Sequence, residues 1–336
     1  MDIGLILDNL LSPPILFFGL GMLAGWLKSD LAIPEAVTKL LSLYLMWAIG
    51  IKGGVQLRAA GFTPEAIASL AAAALLAVVV PAYVYPLLRR GLDVDNAAAL
   101  CAVYGSVSAV TFLTAAAFLT RSGVPYGGHM VAALALMESP AILMGVVLSR
   151  MGAKKAEQAR GGGGELERAY PSLGESLREA ALNGPVVLLT GSMVIGAISG
   201  DNGFAILKPL CQDLFQPILT FFLLELGLLA AKRWRVLRVV SWGLIGFGIM
   251  APLVSGTMAL GLAWVLNLSV GNAFLLVVLA ASASYIAAPA AVRHAIPKAS
   301  PGLYIPLALA VTFPFNIIVG LPLYFAIVKL LWPAAQ

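Results

Sequence analysis

Two short serine-containing stretches lie inside apolar segments of this 336-residue chain and are the first candidates for chemistry. One reads Tyr-Gly-Ser-Val-Ser-Ala-Val-Thr over 104–111, and the other reads Ala-Ser-Ala-Ser-Tyr-Ile-Ala-Ala-Pro over 281–289. Pro289 removes a helical hydrogen bond, and the small residues let two backbones approach closely. We therefore expect a helix break in each stretch. Half-helix N-termini that meet at such breaks present free N–H groups, which together with hydroxyls suit a small anion.

The predicted anion site consists of the polar and small residues of the two breaks. They are Gly105, Ser106, Ser108 and Thr111 in the first stretch and Ser282, Ser284 and Tyr285 in the second. The alternative is that serine and glycine here only pack helices together, as they do in many membrane bundles.

Three charged residues fall well inside apolar runs, where a charge is costly and needs an explanation. We expect the carboxylate of Glu138 to bind a hard cation such as sodium, together with the side-chain oxygens of Thr312 and Asn316. Lys52 is a candidate charge partner that attracts an anion or neutralises an acid. The alternative is a structural ion pair of Lys52 with Glu138 or Glu225.

The composition excludes an ordinary soluble protein. Hydrophobic residues make up 60% of the chain and charged residues 11%, whereas a soluble domain carries about 25% charged residues. The two cysteines, Cys101 and Cys211, have no spacing typical of a disulfide or metal framework. A phosphate-binding loop, a dinucleotide fingerprint and an HExxH motif are all missing from the sequence, which argues against an ATP-driven pump. The sequence predicts a polytopic membrane protein that is not an enzyme and carries no cofactor.

The apolar stretches divide the chain into ten candidate membrane spans, each near the length of about 20 residues that a bilayer requires. Their predicted bounds are 13–27, 34–57, 64–88, 96–120, 128–149, 184–199, 207–230, 236–266, 271–292 and 302–331. Fifteen Lys and Arg residues lie in the loops after the odd-numbered spans, and four lie in the remaining loops. Because basic loops stay in the cytoplasm, both termini are predicted to lie outside. The short clusters of bases are typical of such orientation signals and do not indicate nucleic-acid binding.

The second half of the chain repeats features of the first. The pattern Pro-x7-Met-x2-Gly starts at Pro14 in span one and at Pro185 in span six, and Ser-x-Ser occurs at 106–108 and at 282–284. Matching features are 171 to 177 residues apart and keep the same order. Because five is an odd number, the second copy enters the membrane from the opposite side. Such inverted repeats are typical of secondary transporters, whose sites lie near the midplane.

We therefore divide the chain into a first five-span repeat over 1–150, a cytoplasmic linker over 151–183 and a second, inverted repeat over 184–336. The linker contains four consecutive glycines at 161–164, a composition typical of a flexible connector. A capping box from Ser172 to Glu175 predicts a short surface helix. The alternative role of this segment is to dock a cytosolic regulator.

These residues resemble the sodium-dependent bicarbonate transporter family of the SbtA type. The resemblance is carried by the stretches 105–111, 280–284, 49–54 and 293–297, the last followed by Pro301 and Tyr304. It covers essentially all ten spans. The chain departs from the cyanobacterial members at Tyr285, where they carry an aspartate.

The resemblance implies an all-α fold of five plus five inverted spans with crossed, interrupted helices, related to sodium/proton antiporters and bile-acid symporters. It also implies sodium-coupled uptake of bicarbonate across a bacterial inner membrane, a homotrimer, and control by a cytosolic PII-like protein. Two other functions stay open at this point. One is a proton-coupled antiporter of related fold. Neither break contains an acid, which argues against this function. The other is a membrane sensor that binds an anion without net transport.

Overall fold

The computed structural model describes residues 10–159, 174, 178, 182, 184–234 and 236–332. Within these ranges every regular element is a helix. The helices are α1 (Pro13–Trp26), α2 (Glu35–Ala60), α3 (Pro64–Leu88), α4 (Val94–Gly105), α5 (Ala109–Arg121), α6 (His129–Ala159), α7 (Gly184–Lys208), α8 (Phe215–Trp234), α9 (Trp242–Val265), α10 (Val270–Ala280), α11 (Ala287–Ala295) and α12 (Pro301–Leu331).

Seven helical segments of the described residues are long and apolar enough to cross a membrane. One of them, Gly184–Trp234, has 51 residues, and at about 1.5 Å per residue it is about two and a half times as long as a bilayer core is thick. It contains α7, a π-helical turn at Pro209–Asp213 and α8. Pro13–Trp26 and Val270–Ala280 are shorter apolar helices. The prediction of an all-α polytopic membrane protein is confirmed, and the ten-span inverted repeat stays a prediction.

One helical bound agrees with the sequence prediction and another differs. Span six was predicted to end at 199, and α7 kinks at the next residue, Gly200, whose φ of 58° and ψ of −156° are not helical, before a second helical stretch runs to Lys208. The helix α6 continues past 150 to Ala159, so the first residues of the predicted linker are helical. The predicted capping box from Ser172 to Glu175 lies outside the described residues.

Two pairs of helices pack through glycines. The Cβ that Gly227 lacks would collide with the Phe18 carbonyl, so α1 and α8 approach at backbone distance. The equivalent contact between α2 and α7 places Gly50 against the Leu189 carbonyl. Leu189 stands 171 residues after Phe18, and Gly227 stands 177 after Gly50. Because the two contacts have the offsets found in the sequence, this packing supports the repeat.

The remaining helices, α3 to α6 and α9 to α12, surround the two breaks. They pack mainly on one another, as α3 and α4 do on α6 and α9 does on α10. An aromatic cluster of Phe118, Phe274 and Phe325 joins α5, α10 and α12, with ring centroids 5.0 to 5.8 Å apart. The breaks therefore lie in a packed core formed by these eight helices, beside the two helix pairs α1–α8 and α2–α7.

We predict that Gly54→Leu destabilises the protein by about 1 to 3 kcal/mol or more, the usual range for overpacking. A Cβ at Gly54 would meet the Met193 carbonyl of α7, and a collision with backbone is not relieved by a rotamer change. The control is Gly191→Leu on α7, because a Cβ there meets no atom within 4 Å. Melting temperature in detergent measures the difference. Equal melting temperatures for the two variants would contradict close backbone packing.

Candidate functional site

The two breaks cross and hydrogen-bond to each other. The backbone N–H of Ser284 donates to the Val103 carbonyl at 2.9 Å. From the other chain segment, the N–H of Ser108 donates to Ser282 Oγ at 2.8 Å. Ser282 Oγ in turn donates to the Leu279 carbonyl at 2.8 Å. Backbone groups freed by the breaks are thus satisfied across the crossing, as a membrane interior requires.

The helices that begin at the crossing are capped by serines. Ser108 Oγ accepts the N–H of Thr111 at 3.1 Å, and Ser284 Oγ accepts the N–H of Ala288 at 3.1 Å. Pro289 lies in the first turn of α11, where a missing N–H removes no intrahelical bond. Each serine oxygen acts as an acceptor in these bonds, so they do not use the hydroxyl hydrogen, which can be donated to a ligand. The crossing therefore offers two hydroxyl donors beside two helix N-termini.

The two broken helices run in opposite directions. Asn96, near the start of α4, accepts the N–H of Ser300, which follows α11, at 2.8 Å. Asn272, near the start of α10, accepts the N–H of Gly127, which follows α5, at 2.8 Å. The start of each broken helix thus lies on the same side as the end of the other.

A cavity of about 20 Å³ lies at the crossing. Ser108, Ser284 and Tyr285 line it from the breaks, and Glu138 lines it from α6. Glu138 is 3% exposed, and its Oε2 has no hydrogen-bond partner. The hydroxyl of Tyr285 is also buried without a partner. A volume of this size holds about one water-sized particle, and its unpartnered oxygens are suited to a cation.

The structure does not bring every predicted site residue to this cavity. Ser106 Oγ donates to the backbone carbonyl of Glu138 at 3.2 Å, and a Cβ on Gly105 would collide with Pro81. Both residues therefore hold α4 against its neighbours. The Thr111 hydroxyl is buried without a partner, but Thr111 is not among the cavity residues.

Thr312 and Asn316 lie elsewhere around the crossing. Thr312 Oγ1 donates to the Gly248 carbonyl at 2.7 Å and lies 2.7 Å from the Tyr104 hydroxyl. Asn316 Nδ2 donates to the Ala281 carbonyl at 2.7 Å. Neither side chain lines the cavity that Glu138 reaches. The three predicted sodium ligands therefore do not converge on one cavity in this structure.

Lys52 forms neither of the ion pairs considered from the sequence. Its Nζ lies 5.8 Å from the centroid of the Tyr126 ring, and no described acid pairs with it. Tyr126 precedes α6, whereas Glu138 lies nine residues into that helix, roughly 14 Å along the axis. The separation explains why the pair with Glu138 does not form.

The sequence did not predict that α2 and α7 contribute to the wall of the crossing cavity. Ser42 and Met46 of α2 and Pro185 of α7 line the cavity at the crossing. Ser42 and Met46 stand in an apolar run without any distinguishing spacing, and the repeated pattern that begins at Pro185 indicates a repeat and not a binding site.

A vestibule of about 1040 Å³ adjoins the crossing cavity and shares Tyr285, Ile286 and Ala287 with it. Its wall carries the basic residues Lys39, Arg178, Arg233 and Arg293, and Glu35 is the acid among its described lining residues. A basic cleft with low-dielectric walls concentrates anions. The signal in the sequence is that three of these bases, Arg178, Arg233 and Arg293, belong to the basic loops.

The comparisons with known proteins identify the family of the chain. A family model described as the Na+-dependent bicarbonate transporter superfamily matches residues 13–329. The chain belongs to this superfamily. Among curated proteins, none is significantly similar to the chain. As a member of the Na+-dependent bicarbonate transporter superfamily, the protein is a membrane transporter, and both breaks lie inside the matched residues.

Proposed function

We propose that the protein takes up bicarbonate, or a similarly small anion, together with sodium. The observation that carries this proposal is the crossing, where two helix N-termini and the carboxylate of Glu138 line a cavity with room for one small ion, and the larger basic vestibule adjoins it at Tyr285 with room for the anion. The helix ends and the hydroxyls of Ser108 and Ser284 attract an anion. The carboxylate attracts a cation. Membership of the superfamily supports both ligands.

The same geometry explains why the two ligands would depend on each other. An ionised Glu138 repels an anion at the serines, since like charges about 4 Å apart interact by about 4 kcal/mol at an effective dielectric constant of about 20. A sodium ion bound at the carboxylate removes that repulsion. Anion binding is therefore expected to require sodium, which is the thermodynamic basis of symport.

Uptake into proteoliposomes tests the proposal. An inward sodium gradient should drive accumulation of labelled bicarbonate, and replacing sodium with choline at the same pH should stop it. A proton-coupled carrier would continue in choline. Sodium-dependent binding with neither uptake nor counterflow would instead identify an anion sensor and contradict the transport proposal.

We also propose the membrane orientation read from the basic loops, with both termini outside and 151–183 in the cytoplasm. With this orientation the basic vestibule would open to the cytoplasm, and we assign the structure to an inward-facing state. A homotrimer, a PII-like regulator and a bacterial inner membrane complete the proposal on the strength of the family resemblance.

Single cysteines at Gly162 and Ala335 should label from opposite sides of the membrane. We expect an impermeant maleimide added to intact cells to react at Ala335→Cys and not at Gly162→Cys until the cells are opened. The two native cysteines are buried, which keeps the background low. Labelling of Gly162→Cys in intact cells, with Ala335→Cys protected, would reverse the orientation.

A further inference from the structure

An apolar groove of about 500 Å³ lies between α3 and α9, away from the crossing. Its wall includes Leu87, Leu244, Phe247, Met250 and Val254. Leu87, Met250 and Val254 are 47%, 56% and 42% exposed. In a membrane protein, exposed apolar side chains of this kind face the lipid. The groove is therefore open to the bilayer.

The groove exists because glycines line it. Gly91, Gly243 and Gly246 belong to its wall, and a Cβ built at any of the three meets no atom within 4 Å. A Cβ at these positions meets open space, so larger side chains would fit there without collision and are expected to narrow the groove. The glycines thus leave room along the groove for an occupant.

One end of the groove lies at a basic, interfacial level. Arg89 and Arg90 are exposed and stand between the wall residues Leu88 and Gly91. Trp242, 86% exposed, stands between the wall residues Ser241 and Gly243. Exposed tryptophan marks the headgroup region, and bases beside a helix end attract anionic lipid headgroups.

We propose that this groove binds one acyl chain of an anionic phospholipid, with the headgroup at Arg90. An apolar channel with a cationic end matches such a lipid in both polarity and charge. A zwitterionic lipid matches only the apolar part, so the anionic lipid is preferred.

The bound lipid would bear on transport through Phe247. This residue forms part of the groove wall, and its ring packs edge to face on Tyr104 with centroids 4.8 Å apart. Tyr104 lies in the last turn of α4, next to the first break, and hydrogen-bonds to Thr312. The next residue on α9, Gly248, accepts the hydrogen bond from Thr312. A lipid chain in the groove would therefore pack on Phe247 and, through it, stabilise the side of the crossing that faces α9.

Native mass spectrometry of delipidated protein with added phosphatidylglycerol or phosphatidylethanolamine tests the proposal. We expect phosphatidylglycerol to bind in preference, and Gly246→Leu to lose one bound lipid per protomer. Gly261→Leu is the matched control, since it lies on the same helix and its Cβ also meets no atom within 4 Å. Arg90→Gln should remove the preference for phosphatidylglycerol and keep the binding of one lipid.

Equal lipid numbers in Gly246→Leu and Gly261→Leu, at matched melting temperatures, would overturn the proposal. So would a change of oligomeric state in Gly246→Leu alone, because the groove would then be an interface between copies of the chain. An unchanged headgroup preference in Arg90→Gln would overturn the assignment of an anionic lipid. Each result is independent of whether the protein carries bicarbonate.

Discussion

Replacing Glu138 with glutamine should abolish the sodium dependence of uptake while the protein stays folded. Glutamine keeps the shape and one oxygen, but it removes the negative charge from the crossing cavity. At about 4 Å and an effective dielectric constant of about 20, that charge attracts a cation by about 4 kcal/mol, which corresponds to roughly a thousandfold in sodium affinity. Sodium titration of bicarbonate uptake in proteoliposomes, with melting temperature beside it, measures the effect.

The matched control is Glu225→Gln. Glu225 is also buried in an apolar helix, at 5% exposure, with an unpartnered Oε2, but it does not line the crossing cavity. We expect its replacement to leave the sodium titration unchanged. A normal titration in Glu138→Gln would remove Glu138 from the cation site, and an equal loss in both variants would show a general effect of buried carboxylates.

Ser108→Ala and Ser284→Ala should each weaken anion binding by about tenfold to a hundredfold. The expected loss is the roughly 1.5 to 3 kcal/mol of a hydrogen bond to a charged group. Both oxygens accept a helix N–H, so each variant also loses a cap, which costs about 1 kcal/mol of stability. Replacing both serines should abolish binding. Anion affinity at saturating sodium, measured with the melting temperature, separates the two effects.

Ser69→Ala provides the control for removal of a buried hydroxyl. Ser69 on α3 is fully buried, its Oγ has no partner, and it lies outside the crossing cavity. If serine serves only to pack helices, all three variants keep normal affinity, because alanine packs as well. That outcome would exclude the breaks from the binding site.

The sequence predicted the breaks because Ser-x-Ser occurs in an apolar segment of each half of the chain, and small polar residues at such related positions favour a helix break. It did not predict the vestibule or the contribution of Ser42, Met46 and Pro185. Those residues line the cavity because of how whole helices pack on one another. Their residue types and spacing in the sequence do not indicate that packing.

The predicted sodium ligands show a second limit. Glu138 and Thr312 occupy related places in the two repeats, and this relation suggested that they meet. Two positions related by a pseudo-two-fold axis coincide only when they lie near the axis. Ser108 and Ser284 do so, because the breaks themselves cross there. Glu138 lines the crossing cavity, whereas Thr312 is held outside it by its hydrogen bonds to Gly248 and Tyr104, so the two side chains do not meet.

The antiparallel course of the two broken helices bears on the direction of transport. Since α5 and α11 begin at the crossing and end on opposite sides, their dipoles oppose each other, and each points its positive end at the same place. The attraction that an anion loses when it leaves these two helix ends is the same in both directions. The helix ends thus select by charge but set no preferred direction. Direction must come from the ion gradient, and a vesicle loaded with sodium should release the anion by the same route.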